Sequence, residues 1–161
     1  MQSGINPQSG IYTGFTGLGD LAYIGLNSNS DPWKRLDVHE YKLEKGTHSN
    51  LTIQSFYDQF GIGSFYRTVL FECDSVYLNT LEKAFIHYGN TNQKFNPEGW
   101  NLTAGGEGAR AYSISYSFVQ SGILYSGQDI LPFLISGQMD PRGFIEVLDG
   151  RRKDYEGFIL Y

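Results

Sequence analysis

The chain has 161 residues, 40% of them hydrophobic and 16% aromatic, which is enough for one packed domain, or a small domain plus a smaller module, and excludes a disordered polymer. Its net charge of −5 argues against a uniformly basic nucleic-acid binder, yet the cations are bunched: Lys34, Arg35, Lys42 and Lys45 in one segment, Arg142, Arg151, Arg152 and Lys153 in another. Cys73 is the single cysteine, so a disulfide framework or a cysteine metal cluster within the chain is excluded. A reducing, cytoplasmic setting is expected. No apolar run reaches membrane-spanning length, and residues 1–8 lack the basic-then-apolar pattern of a leader.

In chain order, Gly10-Ile11-Tyr12 and Tyr23-Ile24-Gly25 come first, separated by ten residues that include Gly14, Gly17, Gly19 and Asp20. Two short apolar-aromatic strands around a Gly/Asp turn predict an antiparallel hairpin, with Tyr12 near Tyr23. Ser30 or Asp31 as cap, with Pro32 in the first turn, predicts a helix over about 32–45 that Gly46 stops. Trp33, Leu36 and Leu43 are its expected apolar contacts. Arg35 and His39 are four apart and share a face. Either they are a surface cation and a solvated or core-edge histidine, or they set a permanent charge and a proton carrier before a phosphate. A second helix is expected over about 51–60, ended by Gly61, and a third strand over 65–72. Asp74 or Ser75 caps a third helix over about 76–88. Glu82 lies on its apolar stripe of Leu78, Leu81 and Phe85, where a carboxylate is costly without a partner. Two readings stand for it: a buried salt bridge to Arg35 or Lys83, or a ligand for Mg²⁺. Trp100-Asn101-Leu102 and the glycines at 105, 106 and 108 form a turn-rich boundary, in which Asn101 can hold a loop through its side chain.

This order of features resembles a GIY-YIG endonuclease domain: the two triplets, helical Arg35 and His39, Lys45-Gly46-Thr47-His48, helical Glu82, and Trp100-Asn101-Leu102. The resemblance is to the phage intron-encoded or free-standing homing type and covers about 9–108. It implies an α+β fold, a small three-stranded antiparallel sheet flanked by helices. It also implies metal-dependent hydrolysis of phosphodiester bonds in double-stranded DNA, with Mg²⁺ or alternatively Mn²⁺ as cofactor. On that resemblance Tyr12 and Tyr23 line the site, Tyr12 as general base or its relay, and Arg35 stabilises charge on the scissile phosphate. Glu82 then holds the metal, His39 assists proton transfer, and His48 and Asn101 bind phosphate or order the site. Lys34 and Lys45 are further candidates for DNA contact.

Residues 112–161 read as a smaller unit. A hairpin turning at Ser121-Gly122 is expected, then a short helix over about 129–135 and another opened by Asp140-Pro141, then a closing strand around 155–160. Two short helices at a Gly-containing turn read as a helix-turn-helix. With Gly150-Arg151-Arg152-Lys153 they resemble the DNA-binding repeat modules that follow such nuclease domains. Arg142, Arg151, Arg152 and Lys153 are the expected phosphate contacts. The protein is expected to act as a monomer or a transient dimer on DNA. The rival readings are a restriction or repair nuclease, a repressor-like DNA binder that does not cut, and a virion or host-interaction protein.

Overall fold

The computed structural model describes residues 10–15, 21–28, 31 and 33–161, with residues 10–15 and 21 as backbone only. Strands β1 (Gly10–Phe15), β2 (Leu21–Asn27) and β3 (Tyr66–Glu72) form an antiparallel sheet in the order β2-β1-β3. The hairpin register differs from the symmetric one that the triplets suggest. Tyr12 lies opposite Gly25 and Gly14 opposite Tyr23, so the two tyrosine positions are diagonal rather than directly paired. An irregularity at Gly14/Phe15, with Phe15 opposite Leu21, shifts the register. The Tyr12 side chain lies outside the described residues, as do Ser30 and Pro32.

Helix α1 (Trp33–Glu44) starts at Asp31, whose carboxylate accepts from the Trp33 N–H at 2.9 Å. Leu36 and Leu43 are buried, but Trp33, expected to pack inward, is 46% exposed; the apolar stripe begins one turn later. Helix α2 (Leu51–Phe60) is capped by Asn50 and stopped by Gly61 at φ +72°. Helix α3 (Leu78–Tyr88) follows a single tight turn over Ser75–Tyr77 that Asp74 caps. A small apolar cluster of Ala22, Leu43, Ile53 and Trp100 packs under α1 and α2. The larger core runs from Ile24 and Leu26 through Leu78, Leu81 and Phe85.

That larger core also includes Ile114, Phe118, Ile130, Phe144, Ile145 and Phe158, beyond the turn-rich stretch at 101–108. A stretch of about fifty residues buries only a small interior by itself, and here it shares one with α3. Here β4 (Tyr116–Gln120), β5 (Ile123–Gly127), β6 (Asp154–Tyr155) and β7 (Phe158–Leu160) form a second sheet, ordered β5-β4-β7-β6. The expected single closing strand is a hairpin, β6-β7, turning at Glu156-Gly157. Both residues have positive φ, as do Ser121-Gly122 between β4 and β5. Helices α4 (Leu131–Ser136) and α5 (Pro141–Leu148) pack on this sheet and on α3. These are the two helices expected to form a helix-turn-helix. Helix α4 has six residues, and α5 buries Pro141, Gly143, Phe144, Ile145 and Val147.

Candidate active site

A cleft of about 440 Å³ opens between β2, α1, the turn at 48–50, α3 and the segment 101–108. Tyr23, Arg35, His39, His48, Glu82 and Asn101 all line it. Residues separated by up to 78 positions in sequence therefore meet at one wall. Local chemistry explains how. The four-residue spacing turns Arg35 and His39 to the same side of α1. The Asn27 side-chain amide donates to the Asp31 carbonyl, tying the start of α1 to the end of β2. Arg35 is exposed, and among the described residues no carboxylate lies within ion-pair distance of it.

His39 and His48 are hydrogen-bonded, Nδ1 to Nε2, at 2.7 Å. The buried Asn50 N–H donates to His48 Nδ1 at 3.1 Å. The same His48 nitrogen lies 3.2 Å from the Asn50 carbonyl, so both His48 tautomers find a partner there, and in either one nitrogen of each ring is committed to the His39–His48 bond. Burial, with help from His48, Arg35 and Lys42, lowers the His39 pKa to about 3, so the ring is neutral at physiological pH. Burial also lowers that of His48, which is only 6% exposed and backs His39. The Tyr23 ring meets His39 edge-on at 5.7 Å. An unfolded histidine protonates near pH 6.5, whereas folded His39 resists until about 3. Between those values the unfolded state holds more protons, so this group makes stability fall with acidification. Melting temperatures between pH 7 and 4 should therefore drop more steeply in the wild type than in His39→Asn, and equal slopes would refute the assignment.

Glu82 is half-buried, and its Oε2 accepts from the Gly106 N–H at 2.5 Å. The salt bridge to Arg35 or Lys83 is not formed; among the described residues Glu82 has no ion pair. Burial raises its pKa first, and the nearby Glu107 adds to this; the Gly106 and Leu26 backbone and Arg35 oppose it. A carboxylate so placed, facing a wet cleft with an acidic neighbour, suits a hard cation. Among the described residues there is no cluster of three or more histidine, cysteine or acidic ligands. One firmly held carboxylate completed by waters and phosphate oxygens is how Mg²⁺ is commonly bound, so the donor set fits Mg²⁺ or Mn²⁺.

Asn101 is tied into the chain itself. Its Oδ1 accepts from the Ile24 N–H (2.9 Å) and the Thr91 hydroxyl (2.7 Å), and its Nδ2 donates to the Ile24 carbonyl (2.7 Å). It brackets β2 at the centre of the second triplet. Asn50, met in the sequence as part of a polar loop, does similar work: it caps α2 and donates to the Trp100 carbonyl at 2.6 Å. Its place directly before an apolar-periodic run was the available signal.

The remaining basic residues lie away from this cleft. Lys34 and Lys45 are exposed on α1 and its exit, Lys45 over the Tyr41 ring. Arg142 pairs with Asp140, Arg151 with Asp149 at 2.7 Å and Arg152 with Glu146 at 3.7 Å. Arg151 also stacks on Phe71 and donates to the Glu72 carbonyl, joining the C-terminal unit to β3. Lys153 is exposed and unpaired among the described residues. No helix among the described residues is long and apolar enough to cross a membrane.

No protein-family model and no curated protein sequence matches the chain. Among solved structures, a mutant form of the catalytic domain of intron endonuclease I-TevI is similar at 26% identity and a TM-score of 0.51. The match covers 60% of this chain and 94% of that one. The fold is therefore GIY-YIG-like, with the antiparallel sheet and its flanking helices holding the cleft.

Proposed function

We propose that this chain is an endonuclease that hydrolyses phosphodiester bonds in double-stranded DNA with a bound Mg²⁺ or Mn²⁺, of the homing or mobile-element kind. The observation that carries this reading is the convergence of Tyr23, Arg35, His39 and Glu82 on one cleft, in a fold similar to an intron endonuclease's catalytic domain. Arg35 is the unpaired cation among the described cleft residues. Its planar fork suits two phosphate oxygens and the charge that develops on them. Glu82 holds the cation, which when bound stabilises charge on the phosphate and on the leaving oxygen. Neutral His39, with one ring nitrogen committed to His48, offers its other nitrogen to the cleft as a hydrogen-bonding group that orients a phosphate oxygen or the attacking water. The water's proton is assigned to a tyrosine acting as its phenolate, which becomes the neutral phenol on taking it. Tyr12 is assigned this role because its backbone sits opposite cleft-lining Gly25 on the central strand.

The C-terminal unit is proposed to hold DNA by its backbone. Its arginines are already matched with carboxylates, so Lys153 is its readiest phosphate contact and its contribution should be modest and salt-sensitive. Incubation of a mixed-sequence DNA pool with the protein should give breaks that require Mg²⁺ and stop on chelation, with the sequenced ends reporting the site. Binding without cutting across Mg²⁺ and Mn²⁺ would replace this reading with the repressor-like one.

A further inference from the structure

The segment after Asn101 lies directly on Glu82. It is anchored at one end by the bracket on β2 and at the other by Ala109, which packs on the larger core. Between these ends the Gly106 N–H donates to Glu82 Oε2. Asn79, one turn before Glu82 on α3 and 5% exposed, donates its amide to the Gly106 carbonyl and to the Ala109 carbonyl, the latter at 3.1 Å. Gly105 and Gly106 have φ of +84° and +90°, a region open mainly to glycine. A Cβ on Gly105 would come within 2.8 Å of Ile86 Cδ1 and 3.1 Å of Glu82 Oε2, and one on Gly106 would overlap Lys83 Cε.

Resting on the reading of Glu82 as the cation's ligand, we propose that this segment is a strap that presets the Glu82 carboxylate, with Asn79, Gly105 and Gly106 as positioning residues for metal binding. A glutamate on a helix samples several rotamers, and each metal-bound state must freeze one of them. The Gly106 N–H holds Oε2, and the Leu26 backbone also bonds to the carboxylate, so the group is fixed from the strap and from β2. Asn79 keeps that N–H in place by holding the Gly106 and Ala109 carbonyls that follow it along the strap. Groups one shell out from a metal commonly change its affinity by about 10–100-fold, and that is the size expected here.

The test uses the full chain and Mn²⁺ alone, with free Mn²⁺ followed by electron paramagnetic resonance, in wild type, Asn79→Ala, Gly105→Ala and Glu82→Gln. Circular dichroism checks folding, and DNA affinity without metal is measured alongside. The strap predicts that Asn79→Ala and Gly105→Ala weaken Mn²⁺ binding about 10–100-fold. The Mn²⁺ needed for cleavage should rise in step, and metal-free DNA affinity should be unchanged. Unchanged or tighter Mn²⁺ binding in folded Asn79→Ala, with binding lost in Glu82→Gln, overturns the strap and leaves Glu82 as ligand. Equal Mn²⁺ binding by wild type and Glu82→Gln overturns both. Should Asn79→Ala fail to fold, Gly105→Ala decides alone, since it keeps every hydrogen-bonding side chain.

Discussion

Glu82→Gln should abolish DNA cleavage, lowering its rate by about a thousandfold or more, while leaving the protein as stable as before or slightly more so. Glutamine keeps the length of the side chain and an oxygen that can accept the Gly106 N–H. What it loses is the charge. Burial and the nearby Glu107 raise the Glu82 pKa in the fold. A carboxyl raised in this way gives stability at low pH that is lost as pH rises through its folded value, so at neutral pH the ionised group is a net cost to folding. Removing the charge relieves that cost and at the same time removes the cation's ligand. Stability kept and catalysis lost is the pattern of a residue held for chemistry. Steady-state cleavage in Mg²⁺ and thermal melts of both proteins provide the check. Cleavage within tenfold of wild type would dismiss Glu82 as the ligand.

Asn101→Ala should destabilise the protein by about 3 kcal/mol or more, since it strands three buried groups and each unsatisfied one costs about 1–3 kcal/mol. The groups are the Ile24 N–H, the Ile24 carbonyl and the Thr91 hydroxyl; Ile24 and Thr91 are fully buried. Activity should fall with stability, because β2 carries Tyr23 and one wall of the cleft. Urea unfolding of wild type and variant measures this directly. A loss below about 1 kcal/mol would mean that water or a neighbour replaces the amide. The contrast with Glu82 is informative: two residues of the same cleft, one expected to act through charge and the other through the backbone it holds.

The basic clusters show how far a linear reading carries. Arg142, Arg151 and Arg152 stand close together in sequence and suggest a phosphate-binding surface. In the fold Asp140, Asp149 and Glu146 take up their charges, and Arg151 serves as a brace against β3. Arg35 sits among similar lysines yet ends on the cleft wall without a carboxylate partner among the described residues. Which cation stays available depends on where the carboxylates fall in space.

The sequence by itself determined most of the elements and several of their ends, because those depend on neighbours a few residues away. Asp74 and Asp140 cap, Gly61 stops a helix, Ser121-Gly122 turns a hairpin, and the four-residue step aligns Arg35 with His39. It also placed Tyr23, Arg35, His39, His48, Glu82 and Asn101 in one group, through the order of their motifs. Only the tertiary structure decided what each touches there. The hairpin register, the His39–His48 bond, the Asn101 bracket on a strand 77 positions away and the Gly106 contact to Glu82 are long-range hydrogen bonds and pairings. They arise when the chain closes over its core, since a buried polar group must then find a partner wherever the packing brings one.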